Sequence, residues 1–277
     1  MAGLRRPAIL ADFPSLKSGL VVDEVDLLMI SISARGFAAA GHTVTAIRNG
    51  RLGNDPFLPV MVVTDSPSRE DAALLVNSGV DCVAVRPLTV GKICERLRKL
   101  ALSRQPFVVT SDYIGPDRRT APREPKPGEV VIPLMQVPNA LYDRIVNNQP
   151  SVARAASRAA AWDEVMRQRL VRCADSMQLL AKRSLPQAMA GDLNLRVLED
   201  MRRIADVSEI AWKRMEDEGQ APLAKHLGDV TQRMRCLVKE PTAVKKESLA
   251  QLQHDIGVSQ TGLSAFLAGA AAEPQRV

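Results

Sequence analysis

Pro59–Leu102 reads PVMVVTDSPSREDAALLVNSGVDCVAVRPLTVGKICERLRKLAL. Val60–Thr64 is a short β-branched apolar run that stops at Thr64, Asp65, Ser66 and Pro67. Ser68 is placed to cap a helix over Arg69–Asn77, and Ser78-Gly79 is placed to end it. Cys82–Val85 is a second short apolar run, closed by Arg86-Pro87. Thr89 then caps a helix whose Ile93, Leu97 and Leu100 fall at i, i+4 and i+7. Short apolar strands alternating with helices of about three turns predict a parallel, doubly wound sheet.

Working outward, Val25-Asp26-Leu27-Leu28-Met29-Ile30-Ser31 is a further apolar run, ending on a hydroxyl. With it, the Thr64 strand end, the Ser78-Gly79 turn and the Arg86-Pro87 strand end make an ordered set. In that order and spacing, residues 8–105 resemble a bacterial two-component response-regulator receiver domain. The resemblance implies a flavodoxin-like fold. It places Ser31 at the phosphoacceptor aspartate, Thr64 at the switch hydroxyl, and Arg86 where the family has lysine. Receiver phosphotransfer needs an acidic pair for Mg²⁺, an attacking aspartate, a lysine and the hydroxyl. The acidic pair has no visible counterpart, and a serine with neither metal nor base is a poor phosphoryl acceptor. The resemblance therefore implies a degenerate pseudo-receiver with no cofactor and its Mg²⁺ site lost. The plain reading of Thr64 is a strand-end hydroxyl, and that of Arg86 a surface cation.

The segment before this strand is shorter than a complete receiver requires. Residues 7–17 read as one short helix before Leu20–Val22, where the family has a strand, a helix and a second strand. The family's first strand lies beside the third, so its loss predicts an unpaired edge on the Asp26–Ile32 strand. Three explanations fit: a natural truncation, a start placed too far downstream, or replacement by Val130–Leu134 or Phe107–Thr110. Residues 35–42 (RGFAAAGH) read as a loop, and Thr43–Arg48 as the following helix.

The chain has 277 residues, long enough for about two domains. Aromatics are only 3% of it, so its cores must rest on Leu, Val, Ile, Ala and Met. Basic residues outnumber acidic ones 13 to 10 before residue 106, equal them at four each through 138, and outnumber them 20 to 17 beyond. Charge spread this evenly is a solvated surface and predicts no nucleic-acid partner. Cys82, Cys94, Cys173 and Cys236 lie far apart, which predicts buried reduced thiols and neither zinc nor disulfides. The longest apolar runs are too short to span a membrane, and the N-terminus lacks a signal-peptide core; both predict a cytoplasmic protein with no membrane partner.

Seven of the 18 prolines fall within residues 106–138, which show no helical or alternating period and read as a proline-rich linker. Inside it, Tyr113-Ile114-Gly115-Pro116-Asp117-Arg118-Arg119 is similar to a YxGPDRR segment that follows the receiver in alphaproteobacterial-type regulators. Docking of its Tyr and Arg pair on the preceding domain and an exposed turn are both compatible with it. Residues 139–270 read as a helical bundle. Apolar stripes mark four helices: Val152 to Leu180, Val197 to Met215 with Asp192 as cap, Leu223 to Leu237 after Pro222, and Leu249 to Phe266. Residues 271–277 read as a disordered tail.

Arg203-Ile204-Ala205-Asp206-Val207-Ser208 is similar to the histidine-bearing helix of histidine-phosphotransfer bundles, with Asp206 at the histidine's place. The family's histidine, lysine and glycine are all absent, so the position reads as inactive. His254-Asp255-Ile256-Gly257 spells a metal-phosphohydrolase motif. The chain has only His42, His226 and His254, too few for that metal site, and His254 reads as a solvated helix residue. Seven Lys or Arg between 154 and 183 read as a solvated face.

The sequence thus predicts an α/β plus all-α chain. A truncated receiver-like domain (1–105) is joined by the linker to the bundle. Its function reads as non-catalytic two-component signalling by protein–protein binding, and no constellation suggests an enzyme. The partners implied are a histidine kinase, phosphotransfer or regulator proteins, or self-association. The predicted contact face is the helix at Arg69–Asn77, the strand at Cys82–Val85 and the helix after Thr89. Two alternatives stand beside this: a helical dimerisation or structural adaptor, and an active phosphorelay regulator whose N-terminus is missing.

Overall fold

The computed structural model describes residues 9, 16, 19–20, 25–33, 36–119, 132–149, 155–241 and 246–272. Most of the predicted 7–17 helix, residues 21–22, the middle of the predicted linker and the tail beyond Ala272 lie outside them. The molecule is mixed α/β and mostly helical, with one small parallel sheet. It divides into two units, Met1–Val109 with Tyr113–Val165, and Thr110–Asp112 with Met166–Val277.

In the first unit, β1 (Leu28–Ser31), β2 (Val60–Thr64) and β3 (Cys82–Val85) pair in parallel in that order. Ser31 lies level with Val63, and Thr64 with Val85. The predicted punctuation is present. Ser68 accepts from Asp71 N–H at 3.1 Å and Asp71 answers the Ser68 N–H, a reciprocal cap on α2 (Arg69–Asn77). Gly79 takes φ +92°, the left-handed conformation that ends a helix without a Cβ clash. Thr89 caps α3 (Val90–Leu102) through Lys92 N–H at 3.3 Å.

Both faces of the sheet are covered. Val60 and Val62 pack with Phe37, Ala40 and Val44 of α1 (Phe37–Arg48) and with Leu75 of α2. Met61 and Val63 pack with Leu97 and Leu100 of α3, and with Leu141 of a short downstream helix, α4 (Ala140–Ile145). Two corrections follow. The helix after β1 begins at Phe37, not Thr43, because Phe37, Ala40, Val44 and Ile47 form one buried stripe. And α4, predicted to open the bundle, closes the sheet instead.

The predicted linker is partly built into this unit. β4 (Phe107–Val109) and β5 (Ile114–Pro116) form an antiparallel hairpin, and Met135 bridges Phe107. Phe107, Val109, Ile114 and Met135 share a core with Phe57 and Val165. Proline density concealed this core, since the pattern offers only three-residue strands. Phe107–Thr110 does not fill the place beside β1; its residues 107–109 pair with β5. Nor are all the thiols buried: Cys173 is, Cys82 and Cys94 are half-buried, and Cys236 is exposed.

In the second unit, α5 (Ala155–Met189, which begins in the first unit), α6 (Leu195–Asp217), α7 (Ala221–Lys239) and α8 (Lys246–Ala272) share one apolar core. Leu170, Met177, Met201, Ile204, Leu227, Met234, Leu252 and Leu263 are among its buried members, as the sequence stripes predict. Asn194, not Asp192, caps α6, accepting from Val197 N–H at 3.1 Å. Charged clamps tie the helices together. Arg183 binds Asp200 with two nitrogens, and Arg233 meets Asp255 at 2.5 Å. Among the described residues, no helix is long and apolar enough to cross a membrane.

Candidate functional site

The three parallel strands end at one edge, where side chains from successive strands converge. Arg86, the residue after β3, is fixed there by its N–H donating to Thr64 O at 2.8 Å. Its guanidinium donates to the Ser31 hydroxyl at 2.5 Å, to Ile32 O at 3.3 Å and to the Asp65 carboxylate at 2.9 Å. Ser31 and Arg86 thus meet at one locus, together with Asp65.

Thr64 sits apart from this group. Side chains alternate along a strand, so Thr64 shares the face of Val60 and Val62, under α1 and α2. Ser31, level with Val63, shares the other face. Thr64 is 1% exposed, and its hydroxyl has no partner among the described residues. The predicted trio therefore meets at one edge but is split across the sheet.

The electrostatics of the group are self-contained. Asp65 is exposed and Arg86 partly so, which makes their pair a weak, screened one. The Ser31 oxygen accepts from a cation, and no described base takes its proton. That arrangement holds the hydroxyl in place. Among the described residues, no group of three or more His, Cys, Asp or Glu is arranged to hold a metal ion.

The other predicted positions do not assemble into a site. Asp206 is exposed on α6, and His226 and His254 are exposed on α7 and α8. Asp255 is buried and accepts from Arg233 and from Gln251 at 2.9 Å, so the HDIG letters divide into a solvated histidine and an interhelix clamp. A shallow cleft of about 610 Å³ lies between α6 and α7, bordered by Trp212, Ala224, Gly228 and both signs of charge. It is not at the strand-end site.

Sequence reasoning missed the most tightly bound charge cluster, at the opposite end of the sheet. Asp81 is buried and receives Arg48 and Arg104, each at 2.7 Å, and Val60 N–H at 2.8 Å. Both guanidiniums also lie over the Phe107 ring, at 5.2 and 4.9 Å from its centroid. Burial pulls Arg48 down to about 10 despite Asp81. Burial pushes the Asp81 carboxyl up, but Arg104 and Arg48 outweigh it and hold it below its usual range. Arg48 spends its other donors on Gly79, Pro56 and Leu58 carbonyls. The cluster is thus a clasp between α1, β3 and the hairpin. Its only sequence signal was charge inside apolar surroundings.

The YxGPDRR-like segment docks on this clasp. A Cβ on Gly115 would lie 2.8 Å from Gly79 Cα, so only glycine allows this backbone approach. Arg118 donates to Asp81 O at 3.4 Å, whereas Tyr113 turns back to Pro116 O at 2.9 Å. Compared with known proteins, the chain matches no family model, no curated protein and no solved structure.

Proposed function

We propose that the first unit is a flavodoxin-like pseudo-receiver, acting in two-component-type signalling by protein–protein binding without phosphoryl transfer. The observation that carries this is the Arg86 arrangement. The Arg86 cation after β3, at the lysine-equivalent position, is bonded to Ser31 at the phosphoacceptor-equivalent position and balanced by Asp65, where transfer would need a carboxylate nucleophile and Mg²⁺. The partner class is a signalling protein: a histidine kinase, a phosphotransfer protein or a regulator. Val85 and Val90 are exposed apolar residues on the α2–β3–α3 face, where such a partner would bury them.

Incubation with a small-molecule phosphodonor and Mg²⁺, read by intact mass, tests the reading. The expected result is no added phosphoryl group of about 80 Da. A labile adduct on Ser31, Asp206 or a histidine would overturn it.

A further inference from the structure

Among the described residues, the outer edge of β1 has no partner strand, and the signalling reading does not use it. Leu28 N–H donates to Pro59 O and Ile32 N–H to Val63 O, both at 2.9 Å. Residues 28, 30 and 32 therefore turn their backbone groups toward β2, and Met29 and Ser31 turn theirs outward. Among the described residues no strand lies on that side. Native edges are guarded by charge, proline or a bulge. The LMIS strand has none of these, and its register with β2 is regular.

Apolar surface continues from the edge. Met29 is 45% exposed. On the same sheet face, α4 is anchored by Leu141 and Ile145 beside Leu27, and by Arg144 on Asp26 at 2.7 Å. It leaves Tyr142 and Val146, one turn apart, exposed. The described N-terminal residues lie toward the α1 face or are exposed: Leu16 and Leu20 share a cluster with Ile47, Leu58 and Leu28 of β1, and Ile9 is 93% exposed.

We propose that this edge pairs with the same edge of a second copy of the chain, forming a two-fold dimer with one continuous sheet. A two-fold axis perpendicular to the sheet makes the pairing antiparallel and returns each face to itself. The outward groups set the register: Met29 opposite the second copy's Ser31, Ile30 at the axis, and four N–H to C=O bonds across it. An uncharged strand meets its copy with no like charges opposed. Because the faces are kept, the Met29 side chains of both copies lie on one side of the joined sheet, close to the axis, and the pairing covers them with the edge. This proposal does not rest on the signalling reading.

Light scattering of the full chain across a dilution series tests it, with Met29→Pro and Met29→Lys beside the wild type. The outward N–H of residue 29 makes no bond to β2, so proline there removes a dimer bond and leaves the β1–β2 ladder. The wild type is expected at twice its 30.1 kDa chain mass. Both variants are expected to dissociate at least about tenfold more readily, with unchanged circular dichroism. If the proline variant misfolds, the lysine variant carries the test. The Ser31 amide is expected to gain protection from hydrogen exchange in step with dimer formation. A monomer at every concentration, or a dimer indifferent to a folded variant, overturns the proposal. So does Ser31 protection that persists in the monomer, which would show the edge covered by the chain's own residues.

Discussion

Asp81 sits between Arg48 and Arg104 with all three side chains buried, so its charge is matched only by theirs. Asp81→Asn removes the carboxylate that both buried guanidiniums are bonded to and is expected to cost about 3–5 kcal/mol of stability at neutral pH, measured by urea denaturation. The pH dependence follows from the depressed carboxyl. The unfolded chain takes up its proton near pH 4, and the folded chain only below that. The contribution is therefore complete above about pH 4 and is lost as the pH falls through the folded value. The asparagine variant is expected to lose that part of the acid sensitivity. Among the thiols, burial lifts Cys173 to about 12. A thiol reagent at pH 8 is expected to label exposed Cys236 first and to leave Cys173 unmodified until the protein unfolds. Early loss of Cys173 would contradict its placement in the core.

At the scale of elements, the β4–β5 hairpin depends on a contact between two glycine backbones. The Cβ of Gly115→Ala would fall 2.6 Å from the Tyr113 hydroxyl and 2.8 Å from Gly79 Cα. The tyrosine can turn aside, but the backbone cannot. The substitution is expected to cost about 1–3 kcal/mol, read as a lowered melting temperature. An unchanged melting temperature would mean that the hairpin is not seated on Gly79. The caps at Ser68, Thr89 and Gly79 were legible because capping is local chemistry, complete within four residues. The start of α1 was not, because its Phe37–Ile47 stripe follows a loop-like run and gains its helical preference from the sheet it covers.

At the scale of the whole chain, the sheet's second helical layer is completed late, when Leu141 of α4 joins Leu97 and Leu100 of α3, and Met135 and Val165 complete the Phe57 core. A fragment ending at residue 105, the boundary that composition suggests, lacks all of these. It is expected to lack a cooperative thermal transition, whereas a fragment ending at residue 165 is expected to show one by circular dichroism. Cooperative unfolding of the shorter fragment would restore the earlier boundary.

The sequence by itself determined the alternation of short strands and helices in a parallel sheet and the apolar stripes of the bundle. These rest on short-range periodicity, on caps, and on residues that end adjacent strands. Tertiary structure alone decided that Asp65 joins Arg86, that Thr64 lies across the sheet from Ser31, and that Asp81 gathers two arginines 33 residues before and 23 after it. It also decided that residues predicted as linker and bundle complete the first unit. Such pairings depend on which distant segments fold back, and a local pattern of hydrophobicity carries no record of the partner it will meet.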